Sequence, residues 1–174
     1  MSTDETPVPL DASPADRIDA AVALYGQHNV VERALTLLAG EDETKEFLLF
    51  AGGAHAEGII NGAPALYWPE LWGARVFMYT WDDSAAEPIR TGLGNQAWRV
   101  REMCAKVAAF RKLPVADELV RLMADDVPRV RAAGARALGE IGAVGQIPAI
   151  KALLKDSDIE VRRQAGAALK RLRN

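Results

Sequence analysis

Three pairs of polar residues recur at a constant spacing in the 174-residue chain. Each pair places an aspartate or an asparagine six positions before an arginine. A carboxylate or amide can form charge-assisted hydrogen bonds with a guanidinium, and the same groups can also bind a charged ligand. Because the pairs repeat as faithfully as the apolar positions around them, we interpret them as a structural ladder, with ligand binding as the alternative. The pairs are Asn95 and Arg101, Asp125 and Arg131, and Asp156 and Arg162.

Residue types that support catalysis or metal binding are sparse. The two histidines, His28 and His55, lie outside the repeated pattern, and the residues around them show no spacing typical of metal ligands. Cys104 is the only cysteine and falls on a small-residue packing position, which indicates a buried thiol and no internal disulfide. We therefore predict that the protein is not an enzyme and that it uses neither a metal nor another cofactor.

The elements that position the polar pairs repeat with a period of about 30 residues. Val100, Val130 and Val161 mark equivalent points, and steps of this length are typical of stacked helical units. Each unit contains two helices, here called the first and the second helix. We predict first helices over 69–80, 97–109, 128–139 and 159–172, and second helices over 84–93, 115–124 and 146–155.

Small and apolar residues occupy equivalent positions in the units. Small residues four and five positions after each valine allow neighbouring helices to approach closely: Cys104 and Ala105, Gly134 and Ala135, Ala165 and Gly166. On the second helices we expect two apolar rows to be buried: Ile89, Leu119 and Ile150, and Leu93, Met123 and Leu154.

The pattern of an aspartate followed by Val-Arg, two small residues and a leucine resembles HEAT repeats of the short bacterial type found in phycobilisome-lyase-like proteins. It is clearest from Asp125 to Leu138 and from Asp156 to Leu169. The resemblance covers roughly residues 69–174 and implies an all-α fold, a right-handed α-α superhelix. We divide the chain into a flexible tail (1–13), a helical N-terminal cap (14–66) and about three and a half repeats: 69–95, 96–125, 126–156 and 157–174.

The N-terminal cap carries helix signals without a family signature. Ser13 before Pro14 predicts the start of a helix that closes at Gly26, and Asn29 is expected to cap a second helix. A third helix is expected from Glu43 to Ala51, followed by a short helix in a glycine-rich stretch. Six aromatic residues follow within 15 positions, and we expect them to anchor the cap to the first repeat, with a partner-binding groove as the alternative: Tyr67, Trp68, Trp72, Phe77, Tyr79 and Trp81.

Charge is divided unevenly along the chain. Residues 1–97 hold five Lys and Arg against 15 Asp and Glu, whereas residues 98–174 hold 16 against nine. The basic half is consistent with an acidic partner, with nucleic acid or with solvated helix faces. The acidic N-terminus lacks the pattern of a signal peptide and no apolar run approaches the length of a membrane span, so we expect a cytoplasmic protein without membrane contact.

From these patterns we predict a protein- or peptide-binding scaffold that acts as a monomer or a weak homo-oligomer. Repeat proteins bind through extended surfaces, and we expect the second helices to line a concave binding face. The alternative is contact with nucleic acid through the basic half; a lyase-like or metal-dependent enzyme is less favoured. The residues predicted to bind the partner are Glu87, Arg90, Glu118, Arg121 and Lys151, with Trp81 and Trp98 at one edge.

Overall fold

The computed structural model describes residues 8–174, and the regular secondary structure of this part of the chain is entirely helical, with no β-strand. The all-α prediction is therefore confirmed. The chain divides into two compact units, the first ending at Ala85 and the second running from Ala86 to Asn174. Part of the predicted flexible tail, residues 1–7, lies outside the described residues.

Within residues 8–85, the first unit contains five α-helices and a closing 3-10 turn. Their bounds lie close to the predicted ones, and the short helix expected in the glycine-rich stretch is present. The helices are α1 (Pro14–Tyr25), α2 (Gln27–Leu38), α3 (Lys45–Gly52), α4 (Ala54–Ile60) and α5 (Trp68–Val76), and the turn spans Asp83–Ala85.

Side-chain caps set the starts of two of these helices. The Ser13 hydroxyl accepts the Asp16 N–H at 3.1 Å, which confirms it as the cap of α1. Thr44 caps α3 in the same way. The predicted cap of α2 is wrong, because the cap is Gly26, with φ of 81°, which lies three residues before Asn29. Asn29 lies inside α2 and donates to the Tyr25 carbonyl instead.

The core of the first unit forms where α5 packs on α2 and α3. Gly73 makes the approach to α2 possible, since a Cβ there would lie 2.6 Å from the Ala34 carbonyl oxygen. Trp72 is buried at 2% exposure against Gly52, and Phe77 is fully buried. These aromatic rings are thus core residues of the first unit.

The second unit contains six α-helices arranged in pairs. The first helices α7, α9 and α11 lie side by side with α9 in the middle, and the second helices α6, α8 and α10 pack on α7, α9 and α11 respectively. This two-layered stack is the arrangement of an α-solenoid. The helices are α6 (Ala86–Gly92), α7 (Trp98–Phe110), α8 (Ala116–Leu122), α9 (Pro128–Glu140), α10 (Ile147–Ala152) and α11 (Ile159–Arg173).

The predicted core of the repeats is confirmed with two exceptions. Val100, Val130 and Val161 are fully buried, as are Ile89, Leu119 and Ile150. Leu154, however, is 44% exposed, because α10 ends at Ala152 and a 3-10 turn carries Leu154 outward. Gly166 is the second exception: a Cβ added there would have no atom within 4 Å, so this glycine does not serve a close helix contact.

Candidate functional site

The ladder arginines bind both their own repeat and the next one. Arg101 donates through Nη1 to the carbonyl oxygens of Asn95 and Gln96, at 2.8 and 3.0 Å. Its Nε and Nη2 donate to the two carboxylate oxygens of Asp125, at 2.8 and 3.0 Å. One guanidinium therefore fixes the start of its own helix and clamps the acid of the following repeat.

Arg131 repeats this arrangement one unit later. Its Nη1 donates to the Asp125 and Asp126 carbonyl oxygens, and its other edge holds the Asp156 carboxylate at 2.9 Å for both bonds. Each aspartate also accepts the backbone N–H two residues ahead, from Val127 or Asp158. The residue six positions before each arginine thus supplies its backbone carbonyl, while the carboxylate partner comes from 24 or 25 residues ahead.

These bonds hold both ladder aspartates in the ionised form. The hydrogen bond from Arg131 lowers the pKa of Asp156 below its ordinary value, and the Asp158 N–H adds to the effect. Burial alone would raise the pKa of Asp125, but hydrogen bonds from Arg101 and from the Val127 N–H outweigh it, and the net shift is downward. The carboxylates are therefore charged at neutral pH and committed to the ladder.

The two ends of the ladder differ from its middle. Asn95 is an amide, and its Oδ1 accepts the Ala97 N–H at 2.8 Å. Arg162 donates through Nη1 to the carbonyl oxygens of Asp156 and Ser157, at 2.7 and 3.0 Å. No described residue supplies a carboxylate to its Nε and Nη2. The guanidinium of Arg162 is therefore held by its own repeat in the same way as those of Arg101 and Arg131.

The predicted row on the second helices is partly self-paired. Arg90 contacts Glu118 at 3.2 Å and Glu87 at 3.4 Å, and its Nη2 also donates to the Pro114 carbonyl. Arg121 and Lys151 are exposed, and neither forms an ion pair within residues 8–174. The structure thus joins three of the five predicted residues and leaves two cations facing solvent.

The two tryptophans predicted at one edge belong to different units. Trp81, in the first unit, meets Phe77 edge-on at 6.0 Å and donates from its indole N–H to Asp83. Trp98, in the second unit, lies under the guanidinium groups of Arg99 and Arg129, at 4.5 and 5.5 Å from its ring centre. A shared aromatic edge stays a prediction.

A groove that the sequence did not predict as a site crosses the first helices of the second unit. It has a volume of about 550 Å³ and is open to solvent on the face formed by α7, α9 and α11. Its floor consists of small side chains: Ala105, Ala109, Ala132, Ala133 and Ala137. We call this feature the alanine groove.

The alanine groove arises from a difference between the repeats. Two and three residues after the aligned valine, α7 carries Glu102 and Met103, and α11 carries Arg163 and Gln164. The middle helix α9 carries Ala132 and Ala133 at these positions. Two short side chains between longer ones leave a depression, and this alignment is the signal by which the sequence could have revealed it.

Arginines neutralise the acids along the rim of the groove. Glu102 pairs with Arg129 at 3.1 Å, and Glu140 pairs with Arg136 at 2.7 Å and with Arg171 at 3.2 Å. Burial would raise the pKa of Glu140, but hydrogen bonds from both arginines lower it on balance.

Glu160, at the α11 side of the rim, receives hydrogen bonds from Arg163 and Gln164, which lower its pKa to about 2. Lys106 is exposed and forms no ion pair with any described residue. The rim therefore presents a cation without a partner, whereas its acids are engaged.

Neither a metal site nor a membrane segment is found in the described part of the chain. No group of three or more His, Cys, Asp or Glu side chains among residues 8–174 could hold a metal ion. Within the same residues, no helix has both the length and the apolar composition needed to cross a membrane. Cys104 is buried in α7, as its position in the repeat predicted.

Comparison with known protein families gives a match within the second unit. Residues 86–170 match the family of HEAT repeats. The match spans just under half of the chain and begins where the second unit begins. It supports a HEAT-repeat protein, in agreement with the resemblance carried by the Val-Arg motifs. No curated protein matches the chain.

The HEAT-repeat match and the unit boundary bear on the predicted first repeat. That repeat, 69–95, is divided between the two compact units, and the family match includes only its last ten residues. The expected boundary between cap and repeats, at residues 66 and 67, stays a prediction.

Proposed function

We propose that the second unit is a non-enzymatic, protein-binding HEAT-repeat module that holds a partner segment in the alanine groove. The observation that carries this proposal is the open depression of about 550 Å³ across three helices. Its walls belong to helices that are packed in their final positions, so association costs little conformational entropy. The Asp-to-Arg spacing of six further leads us to place the repeats in the short bacterial type.

The chemistry of the groove supports binding rather than catalysis. Methyl groups on its floor offer no nucleophile or general base, whereas they can accommodate an apolar side chain. The rim acids Glu102, Glu140 and Glu160 are held by arginines and are poorly suited to proton transfer. An apolar anchor residue of a partner fits this combination of a small-residue floor and a charged rim.

The charge of the second unit supports an acidic partner. Residues 86–174 carry 17 Lys and Arg against ten Asp and Glu. Lys106 at the rim is available to a carboxylate, since no described residue pairs with it. The partner we propose is therefore a segment with an apolar anchor flanked by acidic residues.

Filling the groove tests this proposal. Ala133 is half-buried on the groove floor, and Ala133→Trp would occupy the depression without entering the core. Peptides selected from a displayed random library against the intact protein, then measured by fluorescence anisotropy, are expected to be rich in Asp and Glu around one apolar residue. We expect Ala133→Trp to weaken their binding about tenfold or more.

The matched control places the same side chain on the other face of the stack. Ala152 is exposed at the end of α10, and Ala152→Trp should leave peptide affinity within about twofold of wild type. If Ala152→Trp or the pair Arg121→Glu and Lys151→Glu abolished binding while Ala133→Trp did not, the second-helix row would be the binding face and the groove assignment would be wrong. Failure to select any peptide would contradict both assignments.

A further inference from the structure

The outer face of α11 carries a preformed carboxylate-binding group. In each occupied rung, Nη1 of the arginine bonds two carbonyl oxygens of its own repeat, and this contact fixes the plane of the guanidinium. Arg162 makes the same two bonds, to Asp156 and Ser157. Its Nε and Nη2 edge is therefore held in the orientation that captures a carboxylate bidentately in Arg101 and Arg131.

Further cations extend this group along one face of the helix. Lys170 lies two helical turns after Arg162, and Arg173 follows one turn later; both are exposed. Gly166, between Arg162 and Lys170, has open space where a side chain would project. We call Arg162, Gly166, Lys170 and Arg173 the α11 basic stripe. Neither Lys170 nor Arg173 forms an ion pair with a described residue.

Lys170 also indicates that the stripe does not receive another closely packed helix. It is the repeat equivalent of Gly139 in α9, whose hypothetical Cβ would lie 2.7 Å from Ala168 of α11. A helix docked on α11 in the register of the repeats would meet the Lys170 side chain at that point. The stripe therefore suits carboxylate-bearing side chains that reach it from a loop or a more distant helix.

We propose that the α11 basic stripe is a docking surface for an acidic protein segment, with an aspartate bound bidentately by Arg162 and a second carboxylate near Lys170. Charge complementarity specifies this occupant. In the two preceding repeats, the same edge of Arg101 and of Arg131 holds an aspartate, which shows the geometry in which this repeat binds a carboxylate. The surface is separate from the alanine groove, and the proposal does not depend on the function assigned to the groove.

A charge-matched pair of probes tests the stripe in the full-length protein. A labelled poly-aspartate peptide and a labelled oligothymidylate of equal charge would be titrated at low ionic strength and followed by fluorescence anisotropy. We expect the peptide to bind more tightly than the oligonucleotide. Arg162→Gln should weaken peptide binding about fivefold to tenfold, and Arg162→Lys should weaken it similarly, because lysine keeps the charge but lacks the planar fork.

Two variants separate a local site from general attraction. Lys45→Gln removes an equal charge from an exposed position on α3, in the first unit, and should change peptide affinity by less than about twofold. The Lys170 side chain makes no hydrogen bond to the described backbone, so its replacement should not disturb folding. We expect Lys170→Gln to weaken peptide binding by about twofold to threefold. Equal losses in Lys45→Gln and Arg162→Gln, tighter binding of the oligonucleotide, or no peptide binding would each overturn the proposal.

Discussion

At the scale of single residues, each ladder aspartate forms an ion pair with an arginine and also accepts a hydrogen bond from the backbone two residues ahead. Asp125 accepts both bonds from the Arg101 fork and also the Val127 N–H, and its side chain is only 10% exposed. Both oxygens of this carboxylate are therefore engaged in hydrogen bonds within the fold. Its removal leaves a nearly buried guanidinium without its counter-ion, which is more costly than the loss of an exposed ion pair.

We predict that Asp125→Ala lowers the free energy of unfolding by about 2 kcal/mol at neutral pH and leaves peptide binding nearly unchanged. Urea denaturation and the anisotropy assay measure the two effects. Asp126→Ala is the matched control, because Asp126 is the exposed neighbour and contributes only its carbonyl oxygen to the ladder. Loss of binding without loss of stability would instead make Asp125 a functional residue.

The lowered pKa of Asp125 gives this effect a pH dependence. A carboxyl group with a lower pKa in the folded state stabilises the protein above its unfolded pKa, and that contribution is lost as the pH falls through the folded value. The stability difference between wild type and Asp125→Ala should therefore shrink below about pH 4. A difference that stayed constant down to about pH 2 would contradict the assigned ionisation.

Tyr25 in the first unit is a residue whose pKa the structure raises. Burial, a hydrogen bond to Glu46 and the negative charge of that carboxylate raise its pKa to about 12. We predict that Glu46→Gln lowers this pKa, which can be followed by tyrosinate absorbance as the difference between each protein and its Tyr25→Phe counterpart. An unchanged Tyr25 titration would show that burial alone sets the value.

At the scale of elements, two first helices approach each other closely where α9 meets α11. Gly139 allows it, because a Cβ there would lie 2.7 and 2.8 Å from the Ala168 Cα and Cβ atoms. The contact lies four residues beyond Ala135, the second residue of the small pair that marks the repeat pattern. The stack thus depends on a small residue outside the repeated motif.

We predict that Gly139→Ala destabilises the protein by about 1–3 kcal/mol, because the added methyl group forces α9 and α11 apart. Gly166→Ala is the control in the neighbouring helix. Gly166 has open space around it, so alanine there should stabilise by about 0.5–1 kcal/mol through its higher helix propensity. Thermal denaturation of both variants measures the contrast, and a stabilising Gly139→Ala would disprove the contact.

At the scale of the whole molecule, the charge asymmetry follows the division into units. Residues 1–85 hold four Lys and Arg against 14 Asp and Glu, whereas residues 86–174 hold 17 against ten. Both proposed binding surfaces lie in the basic unit. The alanine groove crosses the middle of its stack and the α11 basic stripe lies on its last described helix, so the two can be tested by independent substitutions.

The helical repeats and most of their core are specified by local sequence. Helix bounds follow from signals such as caps, glycines and apolar spacing, and Val100, Val130 and Val161 are buried because they recur in the same place on equivalent helices. The spacing also singles out the ladder residues, although the Asp125 carboxylate pairs with Arg101 and not with Arg131 six positions later. Periodicity predicts which positions face the interior. It does not predict which residue of another repeat each of these positions contacts.

Features that depend on several helices at once came only from the packed structure. Arg101 takes its carboxylate from Asp125, 24 residues ahead, and the alanine groove exists only because α7, α9 and α11 lie side by side. The exposure of Leu154 and the open space at Gly166 likewise depend on what does or does not pack against them. Local sequence sets the identity and direction of each side chain, whereas the packing of successive helices determines the surface that the side chains form together.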